Sequence, residues 1–131
     1  MIVVDSSALI AILFEEPEKQ AFEDVIAGGE RCVIPAVNAH ETATVLRLRH
    51  GTAAVVRFWR FLADSAIEIA PFDEVQVRAA AVAFDQYGKG INSKARLNLS
   101  DCAAYALART MNAPLLFKGD DFTQTDLQSC L

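Results

Sequence analysis

The chain has 131 residues, 53% of them hydrophobic, and a formal net charge of −5. That length suits one domain over residues 1–131 with a real core, and the apolar content excludes a disordered chain. The acidic balance argues at first against a polyanionic partner, and the apolar runs, Ala8 to Phe14 among them, are too short to span a bilayer.

Ile2–Val4 reads as a short buried strand, and Ser6 or Ser7 as the cap of a helix through about Phe14. Glu15-Glu16-Pro17 breaks that helix, and Pro17 suits the first turn of a second one ending at Gly28-Gly29. Arg31–Ile34 is the next strand, closed by Pro35. Ala36 to about Arg49 is helical, and His50-Gly51 stops it. A further helix covers Thr52–Asp64, with Val55, Phe58, Trp59 and Leu62 on one face. Ile67–Ala70 is a third strand and Asp73–Tyr87 an alanine-rich helix. Residues 88–98 form a basic, glycine-containing loop, and Ser100 caps a helix to Met111. Leu115–Phe117 is a fourth strand, followed by a turn and a short edge strand. Strands alternate with helices throughout, which predicts an α/β sandwich with a mainly parallel sheet of four or five strands.

The first strand starts at Ile2 without a charged leader. Cys32, Cys102 and Cys130 form no CxxC pair. A reduced, cytoplasmic setting with neither structural zinc nor disulfides is the expectation.

Five acids stand where an isolated charge is awkward: Asp5, Glu41, Asp101 and the pair Asp120-Asp121. Asp5 ends the run Ile2-Val3-Val4. Glu41 falls in the helical series Val37, Glu41, Val45, Leu48. Asp101 opens a small, apolar helix, and Asp120-Asp121 follow Leu115-Leu116-Phe117. Each has an ordinary reading alone, as a turn acid, a helix cap or the edge of a stripe. Together they predict a site for Mg²⁺, or Mn²⁺ in its place, because clustered carboxylates repel unless a hard cation joins them. Such a site suits phosphodiester hydrolysis by an activated water. Only His40 and His50 are present, so histidine general-base chemistry is poorly supplied. Two acid-free segments soften the objection from net charge. Residues 42–63 carry Arg47, Arg49, His50, Arg57 and Arg60; residues 86–100 carry Lys89, Lys94 and Arg96.

The chain resembles the PIN-domain ribonucleases, and within them the VapC-type toxins of toxin–antitoxin pairs. The resemblance runs through Ile2-Val3-Val4-Asp5-Ser6-Ser7-Ala8-Leu9 and Asn38-Ala39-His40-Glu41. It continues through Ala95-Arg96-Leu97-Asn98-Leu99-Ser100-Asp101-Cys102 and Pro114-Leu115-Leu116-Phe117-Lys118-Gly119-Asp120-Asp121-Phe122. It implies a three-layer PIN sandwich and a metal-dependent endoribonuclease. Asp5, Asp101 and Glu41 become metal ligands, Asp120 or Asp121 the fourth catalytic acid, and Ser7 the support of the first aspartate. It implies RNA as substrate, a VapB-type antitoxin whose tail covers the groove, and a homodimer with no membrane association. Ser100 stands where relatives commonly have glycine. The basic segments then become flanks of an RNA groove. Two other readings compete: a receiver-like phosphoacceptor domain using Asp5, Asp73 and Lys118, and a PIN domain that binds without cutting.

Overall fold

The computed structural model describes every residue from Met1 to Leu131. Its strands are β1 (Ile2–Val4), β2 (Cys32–Pro35), β3 (Glu68–Ala70) and β4 (Leu115–Leu116). Its helices are α1 (Ser6–Leu13), α2 (Lys19–Ile26), α3 (Ala36–His50), α4 (Thr52–Asp64), α5 (Glu74–Tyr87) and α6 (Leu99–Thr110). The strands form one all-parallel sheet in the order β3-β2-β1-β4. The outer edge of β4 is covered by the tail through a parallel bridge from Leu115 to Ser129, where the sequence predicts a last short strand.

The period-two geometry of a strand divides the core. Ile2 and Val4 point into one apolar cluster with Leu9, Phe22, Leu46 and Phe58; Val3 points into the other with Leu97, Tyr105 and Leu107. Helices α1–α4 cover the first face and α5–α6 the second, so the predicted three-layer sandwich is present. Burial on both sheet faces explains why β1, β2 and β4 read as apolar runs, whereas β3, at the sheet edge, exposes Glu68 and Ile69. No helix is long and apolar enough to cross a membrane.

Several local expectations need correction. Asp5, not Ser6 or Ser7, is the N-cap of α1; its carboxylate accepts from the Ser7 N–H. Asn98, not Ser100, caps α6 in a reciprocal capping box with Asp101. Pro17 precedes α2 instead of entering its first turn. Trp59 is 44% exposed, and the buried face of α4 is Ala54, Phe58 and Leu62. The helical series containing Glu41 is a flank and not a core stripe: Leu48 is 80% exposed, and α3 buries Asn38, Ala39, Thr42 and Leu46. The true inner face of α3 carries two polar residues, so hydrophobic periodicity follows the wrong side.

Candidate active site

In a parallel α/β sheet, ligands meet the carboxyl ends of the strands. Here β1 delivers Asp5 to that end, β2 runs directly into the first turns of α3 with Asn38 and Glu41, and β4 leads toward Asp120 and Asp121. The capped start of α6 brings Asp101 to the same place.

Asp5 is 4% exposed. Its Oδ2 accepts from the Ser7 N–H at 3.1 Å and the Ser7 hydroxyl at 2.5 Å, and its Oδ1 accepts from Asn38 Nδ2 at 3.1 Å. The Ser7 hydroxyl in turn accepts from the Lys118 N–H at 3.0 Å, which ties the loop after β4 to the end of β1. Ser7 therefore links Asp5 to the loop after β4 through hydrogen bonds to both. Burial pushes the Asp5 carboxyl up to about 6; the Ser7 hydrogen bonds oppose that rise, and the charges of Asp101 and Glu41 add to it.

Asp101 is 9% exposed. Its Oδ2 accepts from the Asn98 N–H at 3.0 Å while the Asn98 side chain accepts from the Asp101 N–H at 2.8 Å. Ser100 donates to the same Asn98 oxygen at 3.1 Å, so it braces the cap. Burial raises the Asp101 carboxyl above the usual range, the Asn98 bond lowers it, and the charges of Asp121 and Glu41 raise it further.

Asp5 thus lies in the fields of Asp101 and Glu41, and Asp101 in those of Asp121 and Glu41. Asp120 and Asp121 both line an open groove of about 360 Å³ with Asp101, Lys89, Lys94 and Arg96. The buried Phe122 anchors Asp121 from the next position. None of the four coupled acids is salt-bridged to a cation. As the side chains stand, no group of three or more His, Cys, Asp and Glu residues converges tightly enough to hold a metal ion. The donor chemistry still fits a hard cation: oxygen ligands only, a buried carboxylate at elevated pKa, and no protein cation to relieve it.

Asn38 carries no role in the sequence reading beyond its place in a motif. It is fully buried, and its Oδ1 has no hydrogen-bond partner. An ionised Asp5 offers only acceptors, so the Asn38 amide must present its NH₂ group and leave its own oxygen unpaired. A buried polar atom without a partner costs about 1–3 kcal/mol. That arrangement serves Asp5 at the expense of stability.

The receiver-like reading fails on geometry. Asp73 is occupied as the N-cap of α5, accepting from the Gln76 N–H at 3.1 Å, and Lys118 is held by Glu16 and Glu18.

Known proteins agree with this frame. Residues 2–127 match the PIN domain family. Ribonuclease VapC42 of Mycobacterium tuberculosis is 36% identical over 126 residues, covering 96% of both chains. Two solved structures share the fold at low identity. VapC20 of Mycobacterium tuberculosis, described as a sarcin–ricin loop cleaving toxin, superposes with a TM-score of 0.79 at 15% identity, covering 97% of this chain and 96% of that one. VapBC2 from Rickettsia felis, solved with a promoter DNA fragment, gives 0.74 at 16% identity, covering 98% and 96%. With its acids gathered at the carboxyl ends of a PIN sheet, the chain belongs to the PIN-domain family, among the VapC ribonucleases.

Proposed function

We propose that the protein is the toxin of a type II toxin–antitoxin pair, an endoribonuclease that hydrolyses RNA with Mg²⁺ held by Asp5, Asp101 and Glu41. The observation that carries this reading is the buried Asp5 carboxylate, raised to about 6 in the field of Asp101 and Glu41 with no cation paired to it. When bound, Mg²⁺ supplies Lewis-acid polarisation and a lowered pKa for an attacking water. The chain's own contribution is placement. Ser7 and Asn38 fix both oxygens of Asp5, and the capping box fixes one oxygen of Asp101. Asp121 takes the role of fourth acid in preference to Asp120, because the buried Phe122 fixes its neighbouring backbone in the groove of Asp101 and its charge raises the Asp101 carboxyl. Kinship with VapC ribonucleases supports RNA as substrate, and likeness to the toxin in a VapBC2 complex supports a VapB-type antitoxin as partner. A homodimer working in the cytoplasm completes the proposal.

The test is cleavage of defined RNAs by purified protein with Mg²⁺ and with chelator. Cleavage should require the ion and leave a 5′-phosphate and a 3′-hydroxyl. Asp101→Ala should fold normally and lose on the order of 10³-fold or more in rate, at least the scale of a lost transition-state contact. An Asp101→Ala protein that cuts at the wild-type rate would sink the proposal.

A further inference from the structure

The cations without carboxylate partners fall into two sets. Arg47, Arg49, Arg57 and Arg60 belong to α3 and α4; Lys89, Lys94 and Arg96 belong to the 88–98 loop. Only the loop set opens onto the groove of Asp101 and Asp121. Arg57 lines a separate depression with Glu15 and Glu23, and Arg47 lines a largely apolar one with Leu48 and Val55. The structure therefore separates two segments that the sequence treats alike.

The loop is a built element. Its ends are stitched by a bridge between Gly88 and Leu97, with the Lys89 N–H donating to Leu97 O and the Leu97 N–H to Tyr87 O, both at 2.8 Å. Asn92 organises the middle. Its Oδ1 accepts from the N–H groups of Lys94 at 2.8 Å and Ala95 at 3.0 Å, and its Nδ2 donates to Gln86 O at 3.1 Å. Ala95 and Leu97 are buried, and Arg96 between them has a φ of 54°, a conformation L residues seldom adopt. Strained backbone of this kind persists only where its surroundings over-determine it, and it concentrates at binding sites. A backbone ordered during folding loses no further freedom when a ligand meets the cations it carries.

We infer that residues 88–98 form a phosphate platform, on which Lys89, Lys94 and Arg96 hold the backbone of an RNA strand beside the acids. This rests on the ribonuclease reading and adds where its substrate is gripped. Three cations face phosphate oxygens, while the acids alone would repel them. Phosphate contacts position a strand without reading its sequence, so the platform sets affinity and register.

The experiment measures single-stranded RNA binding by fluorescence anisotropy across a salt series, with steady-state cleavage alongside. Each neutralised phosphate contact on a single strand contributes about 0.7 to the slope of log affinity against log salt, so Lys89→Gln/Lys94→Gln/Arg96→Gln should flatten it by roughly 2. The same variant should bind on the order of tenfold more weakly at physiological salt, with KM raised and kcat nearly unchanged. Mg²⁺ affinity should not fall, because removing positive charge from the groove can only favour a cation there. Arg96→Gly tolerates the positive φ and is the fallback should the triple variant misfold; it should flatten the slope by about 0.7. The four arginines of α3 and α4, changed to Gln, should leave the slope unaltered. Wild-type affinity and slope in the loop variants would overturn the inference. So would loss of binding in the α3–α4 variant alone, or loop variants that bind RNA normally but fail to bind a protein partner. A wild-type protein that neither binds nor cuts RNA would remove the ribonuclease reading itself, a result distinct from any of these.

Discussion

The two ends of the sheet treat charge in opposite ways. The amino-terminal end holds the larger cavity, about 910 Å³, lined by Glu23, Glu30, Arg31, Asp64 and Glu68 among others. Three of the four acids there have partners: Arg31 meets Glu68 at 2.5 Å, the Met1 ammonium meets Glu30 at 3.1 Å, and Lys19 reaches Glu23 at 3.8 Å, while the fourth, Asp64, makes no ion pair. The carboxyl-terminal end holds a groove of about 360 Å³, and its coupled acids have none. Cavity size and charge therefore single out opposite ends. Unneutralised, desolvated charge marks the candidate site, because a protein retains such a destabilising feature where chemistry needs it.

The comparison can be broken most sharply at Asp5. Its carboxyl titrates near 6 when folded, against an ordinary value of 3.8. Between those values the native state binds the extra proton, so this group's contribution to stability falls as pH rises through the window and is least favourable above 6. Asp5→Asn removes the buried charge and frees the Asn38 amide to turn. It should abolish cleavage yet raise stability above neutrality by up to ~3 kcal/mol, the shift expressed as free energy. Denaturant unfolding across pH checks this: the gain should fade toward pH 4, and Mg²⁺ should stabilise the wild type but not the variant. A variant less stable than wild type above neutrality would show that the site carries no electrostatic burden.

Next comes Asn38→Leu, which keeps the volume and removes the donor to Asp5 Oδ1. Loss of a residue that orients a metal ligand typically costs about 10–100-fold in metal affinity, and Mn²⁺ binding followed by electron paramagnetic resonance should fall by that much. Unchanged Mn²⁺ affinity would reduce Asn38 to a core residue. The smallest effect is expected at the opposite end. Arg31→Gln breaks an exposed ion pair, so cleavage should be untouched and the thermal midpoint should move by less than about 3 °C. A large loss of activity there would erase the distinction between the two ends.

Much of this was legible in residue order. α4 has the bounds its periodicity predicts, and three expected strands, ending in Val4, Ala70 and the Leu115-Leu116 pair, are present. Asp5 stood out because a charge closing a buried strand has few ordinary reasons. Other features were hidden by competing signals. Ser6, Ser7 and Ser100 are good caps, yet Asp5 and Asn98 take the positions because their longer side chains also fasten the site. Asn38 was missed because a buried polar face on α3 looks like solvent exposure in sequence. Adjacent acids such as Asp120 and Asp121 differ only through the turn that follows them, in which Asp120 O accepts from the Thr123 N–H and hydroxyl.

β2 ends at Pro35 and α3 begins at Ala36, with no residue between them. An α-helix turns about 100° per residue, so one inserted residue would swing Asn38 and Glu41 roughly a quarter-turn away from Asp5. The register of the candidate site is thus written in chain length as much as in side chains. Insertions and deletions should be lethal to activity at that junction, even where every acid is retained. The loops on the opposite side of the sheet, around Gly28-Gly29 and Ser65-Ala66, should absorb them readily. An insertion scan would read the protein as a ruler, with its one rigid mark at the Pro35–Ala36 bond.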